Sequence, residues 1–176
     1  MSKSLALILA SLTLTAVSPA HAGDKAIAPT DAQIAMIVVV ADSVDVNYGK
    51  LAAQETSNKA VKEFAETMVR DHTAVNDKAT ALAQKLGLTP EESDTSRSLK
   101  KGGDENIAKL KTLKGKAFDK AYVDHEVAYH QAVIDALDKT LIPSAQNAEL
   151  KALLVKVRPA FVAHLEHAQH IQSTLK

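Results

Sequence analysis

The order of apolar and polar residues along the chain predicts four long amphipathic helices. In each, apolar residues return every three or four positions, the period that puts them on one face of an α-helix. The first helix is predicted to be capped by Thr30, with Gln33 reaching back to it, and to end near Thr56. The second is predicted to start after Asn58 and to stop at Gly87.

The third helix is predicted over about Lys116 to Thr140, and the fourth is predicted to begin near Ala145. Pro159 lies inside the fourth helix. Because proline has no backbone N–H and its ring crowds the preceding turn, it should either kink this helix or split it in two.

The segment between the second and third helices has the weakest periodicity. Thr89-Pro90-Glu91-Glu92 has the form of a helix start, and Gly102-Gly103 should break the segment. A brief helix is then predicted around Leu110, stopped by Gly115. Alternating β-branched runs, which would indicate strands, are missing. The pattern predicts an all-α four-helix bundle over residues 30–176, with short helices in the crossover between helices two and three.

The N-terminal residues 1–22 are typical of a secretory signal peptide. A charged Lys3 precedes a short apolar run, and the small residues around His21 form a cleavage site after Ala22. An uncleaved anchor is the alternative, although the apolar run is short for a bilayer. Residues 23–29 are then a flexible lead, and the protein is predicted to be periplasmic or secreted, with no later transmembrane segment.

The charge and the absence of cysteine exclude several classes of function. Lys and Arg number 21, as do Asp and Glu, so the formal net charge is zero at pH 7. A nucleic-acid partner would need a clustered basic face, so none is predicted. The sequence has no cysteine, which excludes disulfides, thiol nucleophiles and thiolate metal sites.

Histidines and carboxylates on the apolar stripes are the candidate chemistry. His72, His130 and His164 fall on the apolar faces of three different predicted helices, and Glu126 precedes His130 by one turn. With antiparallel pairing and a rise of about 1.5 Å per residue, Asp45 should meet His72, and His164 should lie within a turn of Glu126. The predicted site residues are Asp45, His72 with Met68, Glu126 with His130, and His164.

This combination predicts a site for one divalent metal. Imidazole and carboxylate suit zinc, iron or manganese, and Met68 would also admit copper. The di-iron bundle pattern requires Glu-x-x-His on two helices, and the chain has no such spacing. The alternative is a non-catalytic structural or stress-related interaction protein, whose histidines form buried pairs such as Asp45–His72 and Glu126–His164.

A pH-responsive protein and an enzyme are two further functional classes. A pH-responsive protein is a third interpretation, since buried neutral histidines must become charged on acidification. The sequence has no Gly-rich phosphate loop, no Gly-x-Ser-x-Gly and no His-Glu-x-x-His. No enzyme class is therefore predicted.

The chain resembles an exported bacterial ferritin-like family known as domain of unknown function 4142. The marks are Ala41-Asp42-x-x-Asp45-Val46-x-x-Gly49-x-Leu51-Ala52, Val61-Lys62-x-Phe64-Ala65-x-x-Met68-Val69-x-Asp71-His72, Leu110-x-x-Leu113-x-Gly115-x-x-Phe118-Asp119-x-x-Tyr122-Val123 and Pro159-x-x-x-x-His164-Leu165. The resemblance covers roughly residues 31–172 and implies a ferritin-like bundle in the periplasm. It implies no particular activity. Five residues of this chain lie at positions of the family's motifs: Asp45, Met68, Asp71, His72 and His164.

Overall fold

The computed structural model describes residues 28–175, and this part of the chain is all-α, without a strand. The predicted signal peptide and most of the flexible lead lie outside the described residues. The helical elements are α1 (Asp31–Glu55), α2 (Lys59–Lys85), α3 (Asp94–Lys111), α4 (Gly115–Ala136), a π-helical segment (Leu137–Leu141), the short α5 (Ile142–Ser144) and α6 (Ala148–Thr174).

The caps predicted for the first two helices are confirmed. The Thr30 hydroxyl accepts a hydrogen bond from the Gln33 backbone N–H at 3.2 Å, and the Gln33 side chain accepts from the Thr30 N–H at 3.1 Å. The Asn58 side chain accepts from the first backbone N–H groups of α2. Gly87 follows α2 with a φ of 64°, a conformation that glycine adopts at little cost.

The prediction of short helices in the crossover is wrong, because α3 is one continuous helix of 18 residues. It begins after Ser93, which forms a capping box with Ser96, and not at Pro90. Gly102 and Gly103 do not break it. A Cβ at Gly103 would lie 2.8 Å from a Val44 methyl group, so this glycine lets α3 lie close to α1. Tertiary packing here outweighs the low helix propensity of glycine.

The turn between α4 and α6 lies later in the chain than predicted, because helical residues continue through α5 to Ser144 and only residues 145–147 are non-helical. The α-helical part of α4 ends at Ala136 and passes into the π-helical segment. Helix α6 begins only at Ala148, where the Asn147 side chain caps it. The Asp31 carboxylate accepts hydrogen bonds from the backbone N–H groups of Gln146 and Asn147, at 2.9 and 2.8 Å, which anchors this turn to the start of α1. Pro159 lies inside α6, which continues as one helix.

Two apolar clusters fill the interior, one towards each end of the long helices. The first contains Tyr48, Phe64 and Tyr122, and the second contains Ile34 and Leu154. Helix α1 packs chiefly against α2, α4 packs against α6, and α3 lies on α1. Within the described residues, every helix falls short of the continuous apolar length that a membrane crossing requires.

Helices α1 and α2 approach most closely at a glycine. A Cβ built on Gly49 would lie 2.8 Å from the Ala65 carbonyl oxygen and 2.9 Å from a Val69 methyl group. The carbonyl belongs to the backbone of α2 and cannot rotate away. The absence of a side chain at Gly49 therefore sets the distance between the two helices.

We expect Gly49→Ala to lower the free energy of unfolding by about 1–3 kcal/mol, because the added methyl group overpacks the α1–α2 contact. The matched control is Gly102→Ala, since Gly102 is also inside a helix but has no atom within 4 Å of a built Cβ. That change should stabilise by about 0.5–1 kcal/mol through helix propensity. Urea denaturation of both variants measures the difference, and equal midpoints would contradict the prediction.

Candidate metal centre

A layer of buried titratable side chains separates the two apolar clusters. Every long helix except α3 contributes to it, at a height between the residues of the first cluster and those of the second. None of the six members is more than 7 % exposed. They are Asp42, Asp45, His72, Glu126, His130 and His164.

His72 lies between two aspartates of α1, Asp42 and Asp45. Its Nδ1 lies 2.7 Å from Asp42 Oδ1, and its Nε2 lies 3.2 Å from Asp45 Oδ2. The short contact with Asp42 holds one proton between the two groups. With that proton on Nδ1, the Nε2 atom presents a lone pair to the centre of the layer.

His130 is oriented by its own helix. Its Nδ1 lies 3.0 Å from the Glu126 backbone carbonyl oxygen. Because a carbonyl oxygen only accepts, Nδ1 carries the proton and Nε2 presents a lone pair. This Nε2 lies 3.3 Å from His72 Nε2 and 3.6 Å from Asp45 Oδ2. Two imidazole lone pairs and a carboxylate oxygen therefore converge, an arrangement that only a proton or a metal ion between them would stabilise.

Several polar atoms of the layer have no hydrogen-bond partner. They are buried atoms of four side chains: Asp42 Oδ2, both carboxylate oxygens of Asp45, both of Glu126, and His164 Nδ1. The other ring nitrogen of His164 lies 3.1 Å from Asp71 Oδ2. Buried polar groups in proteins are almost always paired, so this concentration of unpaired acceptors favours a cation.

Burial dominates the electrostatics of the layer. It raises the pKa of Asp42 to about 8 and that of Glu126 to about 8. Burial and the neighbouring Glu126 carboxylate raise the pKa of Asp45 to about 7. Burial also lowers the pKa of His72, and it lowers the pKa of His164 to about 4. Without a cation the environment favours the neutral forms, whereas a divalent ion would favour the charged carboxylates.

Within residues 28–175, two sets of ligand atoms could hold a metal. One consists of His72, His130 and His164, and the other of Asp45, Glu126 and His130. Within each set the ligand atoms lie within 4.8 Å of one another, and the sets share His130. In each histidine, the ring nitrogen that faces away from the centre of the layer has its own contact. His72 contacts Asp42, His130 contacts the Glu126 carbonyl, and His164 contacts Asp71. Such outer contacts orient histidine ligands in known metal sites.

Five of the six side chains predicted as metal ligands meet in this layer. The exception is Met68, which is fully buried in the first apolar cluster beside Phe64. The predicted contact between Asp45 and His72 is confirmed. Asp42 was missed as a site residue, although its position one turn before Asp45 places it on the same side of α1.

His164 pairs with Asp71 and not with Glu126 as expected. Its ring lies 5.5 Å from that of His130, whereas pairing about residue 143 would have placed it near Tyr122. The reason is the position of the turn: because it lies at residues 145–147 and α6 begins only at Ala148, His164 lies further along α4, beside His130. The Glu126 carboxylate instead lies 3.4 Å from His130 Nδ1.

Fold and site together define an all-α protein whose helices enclose a layer of histidines and carboxylates. The chain belongs to the family described as Domain of unknown function (DUF4142), whose model matches residues 16–171. The family resemblance seen in the sequence motifs is thus confirmed. No curated protein matches the chain, and no solved structure matches it.

The raised carboxyl pKa values predict how the stability of the metal-free protein depends on pH. Above pH 6.5 the unfolded chain has already released these protons, whereas the folded layer keeps them up to about pH 8 for Asp42 and Glu126. Folding therefore takes up protons, and stability falls as the pH rises from 6.5 to 8. The histidines act in the opposite direction, but only below their ordinary pKa of 6.5.

Urea denaturation in a chelator at several pH values measures this slope, which can reach at most about 1.4 kcal/mol per pH unit for each carboxyl group. We expect Glu126→Gln to reduce the slope, since the amide does not titrate. Glu166→Gln on the exposed side of α6 is the matched control. A stability that rises over this range, or a full slope in Glu126→Gln, would contradict the prediction.

Proposed function

We propose that the protein is an exported, ferritin-like four-helix bundle that binds one divalent first-row metal ion in the periplasm. The observation that carries the proposal is the convergence of His72 Nε2, His130 Nε2 and Asp45 Oδ2, within 3.2 to 3.6 Å of one another. His164 and Glu126 lie beside these atoms and would complete the coordination. The role that fits a buried, all-protein ligand set is sequestration of the ion.

The donor atoms define the class of metal. They are imidazole nitrogens and carboxylate oxygens, and the sequence has no cysteine. Zinc, iron and manganese are bound by such donor atoms, and the histidines of the set can also bind copper. One ion is proposed and not a di-iron centre, because the required Glu-x-x-His spacing is missing and the two ligand sets share His130.

A structural protein without a ligand is the second candidate, and two contacts favour it. Asp42–His72 at 2.7 Å and Asp71–His164 at 3.1 Å are satisfactory hydrogen-bonded pairs by themselves. Such pairs leave the four oxygens of Asp45 and Glu126 unexplained, since these are buried without a hydrogen-bond partner. Metal binding accounts for the pairs and for the unpaired oxygens together.

Elemental mass spectrometry of untagged protein from the periplasm tests the proposal. We expect about one zinc, copper, iron or manganese ion per chain, and a binding constant weakened at least 100-fold in His130→Ala. Addition of that metal to chelated protein should raise the melting temperature, because only the folded state binds it. His170→Ala, at an exposed position on α6, is the control and should bind normally.

Protein that contains no metal, and whose melting temperature does not respond to any of the four ions, would overturn metal binding. Unchanged affinity in His130→Ala would overturn the site. In either case the structural candidate would remain, and it predicts that His130→Ala lowers stability to the same extent with and without added metal.

Export is tested by the mass of the chain after expression in a bacterium. We expect the intact mass of residues 23–176 in the periplasmic fraction, because cleavage is predicted after Ala22. A chain that retains residues 1–22 and stays with the membrane would show that these residues act as an anchor.

A further inference from the structure

A large cavity reaches the layer from one side. It has a volume of about 800 Å³, is open to solvent at one side, and is lined by residues of α1, α2, α4, the π-helical segment, α6 and the start of α3. Cavities that bind small organic molecules have volumes of about 300–1,000 Å³. The cavity is thus large enough for a ligand much bigger than water or a metal ion.

The walls of the cavity are mainly apolar. Ile37, Val38, Leu99, Val133 and Leu154 line it, and side chains that are exposed to solvent at the start of α3 form its outer rim. Along α1 the lining extends from Gln33 to Asp42, which is about 14 Å at 1.5 Å per residue. An elongated apolar molecule matches this shape.

The π-helical segment forms part of the wall. Leu137 and Leu141, its first and last residues, both line the cavity, as does Thr140 between them. Such segments are rare and are found frequently at functional sites, where the wider turn changes the direction in which side chains point. The irregular end of α4 therefore coincides with the cavity.

Asp42, His72 and Phe161 line the cavity where it meets the layer. Asp42 Oδ1 is engaged by His72, but Asp42 Oδ2 has no hydrogen-bond partner. A hydroxyl group would satisfy Oδ2 in either protonation state, because it donates to a carboxylate and accepts from a carboxylic acid. A carboxylate ligand is disfavoured by charge, and Arg97 at the rim already pairs with Asp94 and Glu92.

We propose that this cavity binds an elongated apolar alcohol or phenol, with its hydroxyl group hydrogen-bonded to Asp42. The proposal concerns a second ligand and does not require a metal. It is therefore tested on chelated protein, so that its failure and the failure of metal binding are distinguishable.

The test uses the apolar fluorescent probe N-phenyl-1-naphthylamine. We expect saturable binding of one probe molecule per chain. Ala136→Phe, in the cavity wall, should weaken the binding at least tenfold. Ala128→Phe is the matched control, because Ala128 lies on the same helix at an exposed position and is not a lining residue.

The hydroxyl is tested by displacing the probe with 4-hexylphenol and with hexylbenzene, which differ only in that group. We expect the phenol to bind about five- to tenfold more tightly, as one hydrogen bond to a buried group allows. Asp42→Leu should remove the preference while keeping probe binding. If Ala136→Phe and Ala128→Phe bind the probe equally well, the cavity is not the binding site. If 4-hexylphenol and hexylbenzene displace the probe equally well from the unsubstituted protein, the hydroxyl assignment is wrong. This second comparison does not depend on whether Asp42→Leu folds.

Discussion

The structure depends on how three carboxyl groups and three imidazoles are accommodated midway between two apolar clusters. Burial of six such groups is costly unless each finds a partner, a proton or a cation. Asp42, Asp71 and the Glu126 carbonyl satisfy the outer side of each histidine ring. The inner atoms face one another, so the helices can be assembled at this height only with protons or a metal ion among them.

Much of this arrangement could be predicted from the sequence. The spacing of apolar residues by three and four positions predicted the long helices. Capping side chains such as Thr30 and Asn58 predicted where the first two helices begin. The contact of Asp45 with His72 followed from counting residues on either side of a short turn. Local chemistry was sufficient because these features depend on neighbouring residues, or on a turn whose length was correctly predicted.

The remaining features depend on contacts between distant parts of the chain. Helix α3 continues through two glycines because it packs on Val44, and no local pattern contains that contact. The π-helical segment and the anchoring of the α4–α6 turn by Asp31 shift His164 relative to α4. An error of a few residues in one turn was therefore enough to give His164 the wrong partner.

The layer and the cavity share the Asp42–His72 pair, so the two proposed ligands would act on the same histidine from opposite sides. A hydroxyl on Asp42 would alter how firmly that carboxyl group holds His72 Nδ1, and hence how strongly Nε2 can donate to a metal. The two occupancies would then be coupled thermodynamically, each changing the affinity for the other by the same factor.

Gly49 has a consequence for tracing this site through other members of the family. It lies one turn after Asp45, and the backbone contact that it permits sets the separation at which Asp45 meets His72. A relative could retain all six titratable side chains and still lack the geometry, if a bulkier residue at this position held the two helices apart. For recognising the same chemistry in a diverged sequence, the glycine is as diagnostic as the histidines.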